Sequence, residues 1–137
     1  MLRKNAKIEL LRRVPLFSAC SKRELAEIAT LADELRFDAG RTLIQEGARG
    51  REFIVVIEGS VEVRKEGRKL PKRGDDSFFG ELALLTDAPR SATVTATSPV
   101  RALVIVDHSF RRLLSASPTI QMKVLRSLAE RLAPDDL

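Results

Sequence analysis

The chain has no tryptophan and no tyrosine, and it carries one cysteine, Cys20, and one histidine, His108. A lone cysteine excludes an internal disulfide and a cysteine-rich zinc site. With one histidine, a metal site would depend on carboxylates, and the sequence shows no carboxylate cluster with ligand spacing. A Cys–His or Ser–His nucleophile would need partners that the sequence does not offer. No apolar run approaches the roughly 20 residues that cross a bilayer. The first thirteen residues are broken by Arg3, Lys4, Lys7, Arg12 and Arg13, which is not the apolar core of a secretory signal. These absences point to a non-catalytic, cytoplasmic, soluble protein without metal or cofactor.

What remains suits one domain of 137 residues, with ordinary shares of apolar (44%) and charged (31%) side chains. The net charge of +5 is concentrated in the N-terminal segment and in the stretch Arg64 to Arg73. Such patches suit nucleotides, nucleic acid or anionic lipid. The second stretch lacks the interleaved aromatics of single-strand binders, so a solvated hairpin edge kept from aggregating by its lysines and arginines is favoured.

Three zones follow along the chain. Residues 1–32 read as helical. Ser21 and Glu24 form a capping box, Cys20 and Leu25 have the spacing of a hydrophobic staple, and Leu25, Ile28, Ala29 and Ala32 share a face. Residues 33–107 hold strand-length runs at Glu34–Phe37, Thr42–Gln45, Glu52–Glu58, Ser60–Lys65, Ala92–Thr97 and Val100–Val106, punctuated by glycines. That spacing predicts an antiparallel sandwich, roll or barrel. Glu58-Gly59-Ser60 reads as a tight hairpin turn. Residues 108–133 return to helical spacing, with Ser117 as cap, Pro118 at the first helical position, and an apolar stripe of Ile120, Val124, Leu128 and Leu132. Pro134 and an acidic tail end it.

One segment, residues 78–94, is neither plain strand nor plain helix. Gly80 opens a turn whose free N–H groups suit an anion, Glu81 lies at the same end, and Arg90-Ser91 open the next strand after Pro89. At least one of Phe78 and Phe79 reads as core packing. A cyclic nucleotide needs such a set: a guanidinium for the cyclic phosphate, a carboxylate for the ribose 2′-hydroxyl, and an apolar wall for the base.

Phe79-Gly80-Glu81-Leu82-Ala83-Leu84, followed by Pro89-Arg90-Ser91-Ala92-Thr93-Val94, resembles the phosphate-binding cassette of cyclic nucleotide-binding domains. These domains occur in catabolite activator proteins, kinase regulatory subunits and cyclic-nucleotide-gated channels. Val14-Pro15-Leu16-Phe17 is similar to the family's N-terminal helix junction. The resemblance implies a mainly β fold, an antiparallel β-roll (double-stranded β-helix or jelly roll) of about eight strands with helices at both ends. It also implies that Glu81 takes the ribose hydroxyl, that Arg90 takes the phosphate, and that Gly80, Leu82, Ala83, Ser91 and Ala92 line the phosphate site. The approach Gly74-Asp75-Asp76-Ser77 departs from the pattern, in which a second glycine falls near Asp76 and an aspartate near Ser77. The helix-turn-helix of activator proteins and the transmembrane helices of channels are not in this chain.

The function expected is a regulatory sensor of cyclic AMP, with cyclic GMP as the other candidate, acting on an unidentified effector. With no Trp or Tyr, a lid over the base would come from aliphatics or from Arg126 or Arg131. The C-terminal helix is expected to move on binding and cover the base, or to pack permanently on the roll or pair with a second copy. The alternative is a nucleotide-unresponsive roll used for protein, nucleic-acid or membrane-surface contacts.

Overall fold

A computed structural model describes residues 2–71, 73–74 and 77–132. Asp75 and Asp76 of the unusual turn, Lys72, and Pro134 with the acidic tail lie outside the described residues, as do the side chains of Leu82, Arg131 and Leu132. The chain forms two compact units: Asp33–His108, and the two ends of the chain taken together.

The central unit holds eight strands among the described residues: β1 (Asp33–Phe37), β2 (Thr42–Ile44), β3 (Glu52–Glu58), β4 (Val61–Lys65), β5 (Arg68–Lys69), β6 (Phe78–Phe79), β7 (Thr93–Ala96) and β8 (Val100–Val106). They form two antiparallel sheets, ordered β1-β8-β3-β6 and β2-β7-β4-β5. The sequence runs locate six of these strands. The two-residue strands β5 and β6 are too short to give a periodic signal.

Alternation explains the core. Val61 and Val63 of β4, with Val94 and Ala96 of β7, point inward from one sheet. Ile54 and Val56 of β3, with Ala102 and Val104 of β8, meet them from the other. The residues between these on β3 and β8, including Phe53, Val55, Leu103 and Ile105, are buried as well. Continuous apolar runs of this kind belong at the middle of a sheet, where β8 lies between β1 and β3.

Glu58-Gly59-Ser60 is not a hairpin turn, because β3 and β4 belong to different sheets. It is a corner. A register shift between Val56 and Glu58 bends the strand first. Gly59 then adopts φ +104°, and a Cβ there would run into the Pro99 carbonyl oxygen. The corner is locked to the matching β7–β8 crossing. Thr97 N–H donates to Ser60 O (2.9 Å), Ser60 N–H to Ser98 Oγ (3.0 Å), and the Ser60 and Thr97 hydroxyls lie 2.8 Å apart. The basic stretch does form an edge hairpin, with Arg64 opposite Lys69 and Lys65 opposite Arg68.

The other unit contains α1 (Lys4–Arg12), a 3-10 turn at Pro15–Phe17, α2 (Lys22–Ala29), α4 (Pro118–Leu132) and most of α3 (Asp107–Ala116). The capping box is present: Ser21 Oγ accepts from Glu24 N–H (3.2 Å), and Glu24 Oε1 accepts from Ser21 N–H (2.7 Å). Cys20 and Leu25 are both buried, as a staple requires. Burial, with the Glu24 charge adding to it, pushes the Cys20 thiol up to about 11, so it is protonated and unreactive at neutral pH. Phe17 and Phe110 pack with ring centroids 5.6 Å apart. On α4, Ser117 Oγ accepts from Ile120 N–H (3.4 Å), Ile120 and Val124 are buried, and Met122 and Leu125 form a second, exposed apolar strip.

The helical unit should be acid-sensitive through Glu24. Burial alone would raise its pKa, but hydrogen bonds from Lys123 and Ser21 outweigh burial and hold the carboxyl at about 2, against an ordinary 4.5. A depressed carboxyl contributes stability above the unfolded value and loses it as pH falls through the folded one. In urea titrations, the wild-type midpoint should therefore fall more steeply than that of Glu24→Gln between pH 4.5 and 2. Ser21→Ala should cost about 1 kcal/mol at neutral pH in the same titrations.

Candidate functional site

Between the two sheets lies a cavity of about 420 Å³, within the range usual for small-molecule sites. Its apolar wall is made by Ile44, Val63, Phe79 and Val94, all inward-facing strand residues. Its other side is the irregular segment after β6, represented by Gly80, Ala83, Thr86, Ala88, Pro89, Arg90, Ser91 and Ala92.

Gly80 makes the turn out of β6. Its φ of +78° redirects the chain into a 3-10 turn, Glu81–Leu84, which is closed by Ala83 N–H donating to Gly80 O (2.9 Å). A side chain at Gly80 would overlap Arg90 Nη1, so the glycine is needed for space as well as for conformation.

Arg90 is held at both ends. Its backbone pairs with the loop before β3: Arg90 N–H donates to Ala48 O (2.8 Å), Gly47 N–H donates to Arg90 O (2.9 Å), and Arg49 bridges Pro89. Its side chain is only 8% exposed, with Nη2 donating to the Glu52 carbonyl (2.5 Å) and lying 3.6 Å from Glu52 Oε2. Nη1 is buried and has no hydrogen-bond partner among the described residues. Burial lowers the affinity of the guanidinium for its proton, and the Glu52 carboxylate works the other way. Arginine nevertheless stays protonated in proteins. A buried cation with an unused N–H pair beside a mainly apolar cavity has hydrogen-bonding capacity that an anion could complete.

Of the residues singled out from sequence, Gly80, Ala83, Arg90, Ser91 and Ala92 converge on this cavity. Glu81 does not line it. It is buried at the first position of the 3-10 turn, next to Gly80. The side chain of Leu82 lies outside the described residues. Phe79 serves both the core and the cavity wall, while Phe78 packs edge-on against Phe53 with centroids 6.1 Å apart. Sequence reasoning passed over Ile44, Val63 and Val94, although their inward positions in the strand alternation could have identified them. It also passed over Gly50 and Glu52, which surround the Arg90 guanidinium and give no local signal of doing so. No helix among the described residues is long and apolar enough to cross a membrane.

The sequence matches the family model described as the cyclic nucleotide-binding domain over residues 34–117. It is 42% identical over 108 residues to a cAMP-dependent protein kinase regulatory subunit of Aspergillus fumigatus, covering 76% of this chain and 26% of that one. The corresponding protein of Emericella nidulans is 39% identical over 117 residues, covering 82% and 28%. The chain thus spans about a quarter of the length of these curated relatives. Among solved structures, it is similar to the N-terminal domain of a transcriptional regulator from Streptomyces coelicolor A3(2), with 33% identity, a TM-score of 0.83, and coverage of 93% of this chain and 94% of that one. A cyclic nucleotide-binding-like protein from Brucella abortus matches with 26% identity and a TM-score of 0.74, over 80% and 98% of the two chains. With two β-sheets enclosing a cavity that presents a buried arginine, and a family match covering well over half its length, this chain belongs to the cyclic nucleotide-binding domain family.

Proposed function

We propose that this protein is a non-catalytic, cytoplasmic sensor that binds cyclic AMP in preference to cyclic GMP and passes its occupancy to an effector. The observation that carries the proposal is Arg90, a buried guanidinium whose Nη1 has no partner among the described residues, at the edge of a mainly apolar cavity. A cyclic phosphate brings the single negative charge that this group lacks, and the Ile44, Val63 and Val94 wall suits a purine face. Gly80, Leu82, Ala83, Ser91 and Ala92 complete the phosphate side, and Glu81, buried beside Gly80 and outside the cavity lining, accepts the ribose 2′-hydroxyl once the segment closes on the nucleotide. Ser91 is compatible with either base. Among the described residues no carboxylate lines the cavity to read a guanine amino group, and this favours adenine. The cAMP-dependent names of the relatives agree with that choice.

The basic hairpin gives less support to a nucleic-acid or membrane role. Glu62 already pairs with Arg64 and Lys69, which offsets part of its charge.

Calorimetric titration with cyclic AMP and cyclic GMP tests the assignment, and tighter binding of cyclic GMP would reverse the base preference. Removing one partner of a desolvated charged pair costs about 2–5 kcal/mol, so Arg90→Ala should bind cyclic AMP roughly 30- to 4000-fold more weakly. Glu81→Ala should bind more weakly too and discriminate less between cyclic AMP and its 2′-deoxy analogue. Unchanged affinity in Arg90→Ala would place the phosphate elsewhere.

A sensor must bind its ligand unequally in two states. The segment from Gly80 to Arg90 closes on the phosphate, and α3, which continues from β8 without a loop, carries the change into α4. Hydrogen exchange should therefore slow at Ser117–Leu132 as well as at Gly80–Ala92 when cyclic AMP is added. Protection confined to Gly80–Ala92 would make the protein a passive binder.

A further inference from the structure

We propose that Gly50 is a positioning residue for Arg90, and that its missing side chain is what lets the guanidinium reach its anion-receiving place. This rests on the nucleotide assignment for its consequence, though not for its geometry. Gly50 is buried just before β3, and its φ is not in the left-handed region, so no left-handed backbone strain requires a glycine there. What forbids a side chain is space. A Cβ on Gly50 would lie 2.6 Å from Arg90 Nε and 2.8 Å from both Cδ and Cζ. On the other side, a Cβ on Gly80 would overlap Nη1 of the same guanidinium. Arg90 therefore occupies a slot between two glycines, with Nη2 fixed on the Glu52 carbonyl.

The two glycines are not equivalent. Gly80 also needs its positive φ, and a Cβ there would press to 3.0 Å on the Glu52 backbone. The nearest atoms to a Cβ on Gly50 all belong to the Arg90 side chain. A methyl at position 50 thus has a soft neighbour to push: Arg90 swings away, the fold survives, and the anion receptor is lost. The glycine serves the site rather than the roll.

The test is a double-mutant cycle on the full chain. Gly50→Ala should weaken cyclic AMP binding by at least roughly tenfold, and should cause no further loss when Arg90→Ala is already present, the non-additivity of two residues in direct contact. Equal losses in both backgrounds, or wild-type affinity in Gly50→Ala, would overturn the proposal. If Gly50→Ala lowers the melting temperature, adding Arg90→Ala should restore it, since the overlapping atoms are then gone; failure to restore it would count against the slot. The ligand-free protein gives an independent readout. The guanidinium protons of Arg90 should exchange slowly in the wild type and lose that protection in Gly50→Ala, and retained protection would refute the proposal. If the wild type binds no cyclic nucleotide while Gly50→Ala still loses this protection, the nucleotide assignment falls and the positioning role stands.

Discussion

The structure depends on keeping a guanidinium out of water before its ligand arrives. Taking a charge into an apolar setting costs several kcal/mol unless it is paired, and Arg90 is only half paired. The Glu52 carbonyl takes Nη2, the Glu52 carboxylate lies close by, and Nη1 has no acceptor among the described residues. The scaffold tolerates this because the Arg90 backbone is clamped to Gly47–Ala48 and its side chain has little freedom left to lose. Such pre-organisation lowers the entropy that binding must overcome and leaves an anion as the natural completion of the site.

The roll supplies the fixed end of this arrangement. Core residues from both sheets interdigitate, and the corners at Gly59–Ser60 and Thr97–Pro99 are tied to each other by three hydrogen bonds. The irregular segment after β6 is different. It contains one short 3-10 turn, buries Leu84, and contributes Ala83, Arg90 and Ser91 to a cavity. Closely packed sheets resist small deformations more than an irregular segment does. Under the proposed sensing role, this contrast would let one part of the protein respond while the rest stays fixed.

Much of this was legible in the residues. Strand-length apolar and β-branched runs between glycines located β3, β4, β7 and β8, and the Ser21–Glu24 spacing marked the start of α2. Gly80, Arg90 and Ser91 stood out because no regular element accounts for them together. What escaped was information that exists only in three dimensions. Gly59 was recognised as a residue needing positive φ, yet a glycine between two strands looks the same whether the strands pair or separate into opposite sheets. Gly50 has an ordinary backbone, so its importance depends on a side chain forty positions away. The burial of Glu81 at the first position of the 3-10 turn likewise has no local signal in the sequence.

The order β1-β8-β3-β6 has a consequence for how the chain is made. β8, the last strand, lies between two of the earliest, with Asp33 opposite Val104 and Glu52 opposite Val106. Until residue 106 has left the ribosome, β1 and β3 each present an unpaired edge, and β3 is among the most apolar segments of the chain. Contacts across such separations make folding slow, because loop closure must come before any reward from pairing. A nascent or truncated chain ending before Val106 is thus the most aggregation-prone form of this protein. Full synthesis of the central unit removes that hazard in one step, when β8 inserts and closes both edges together.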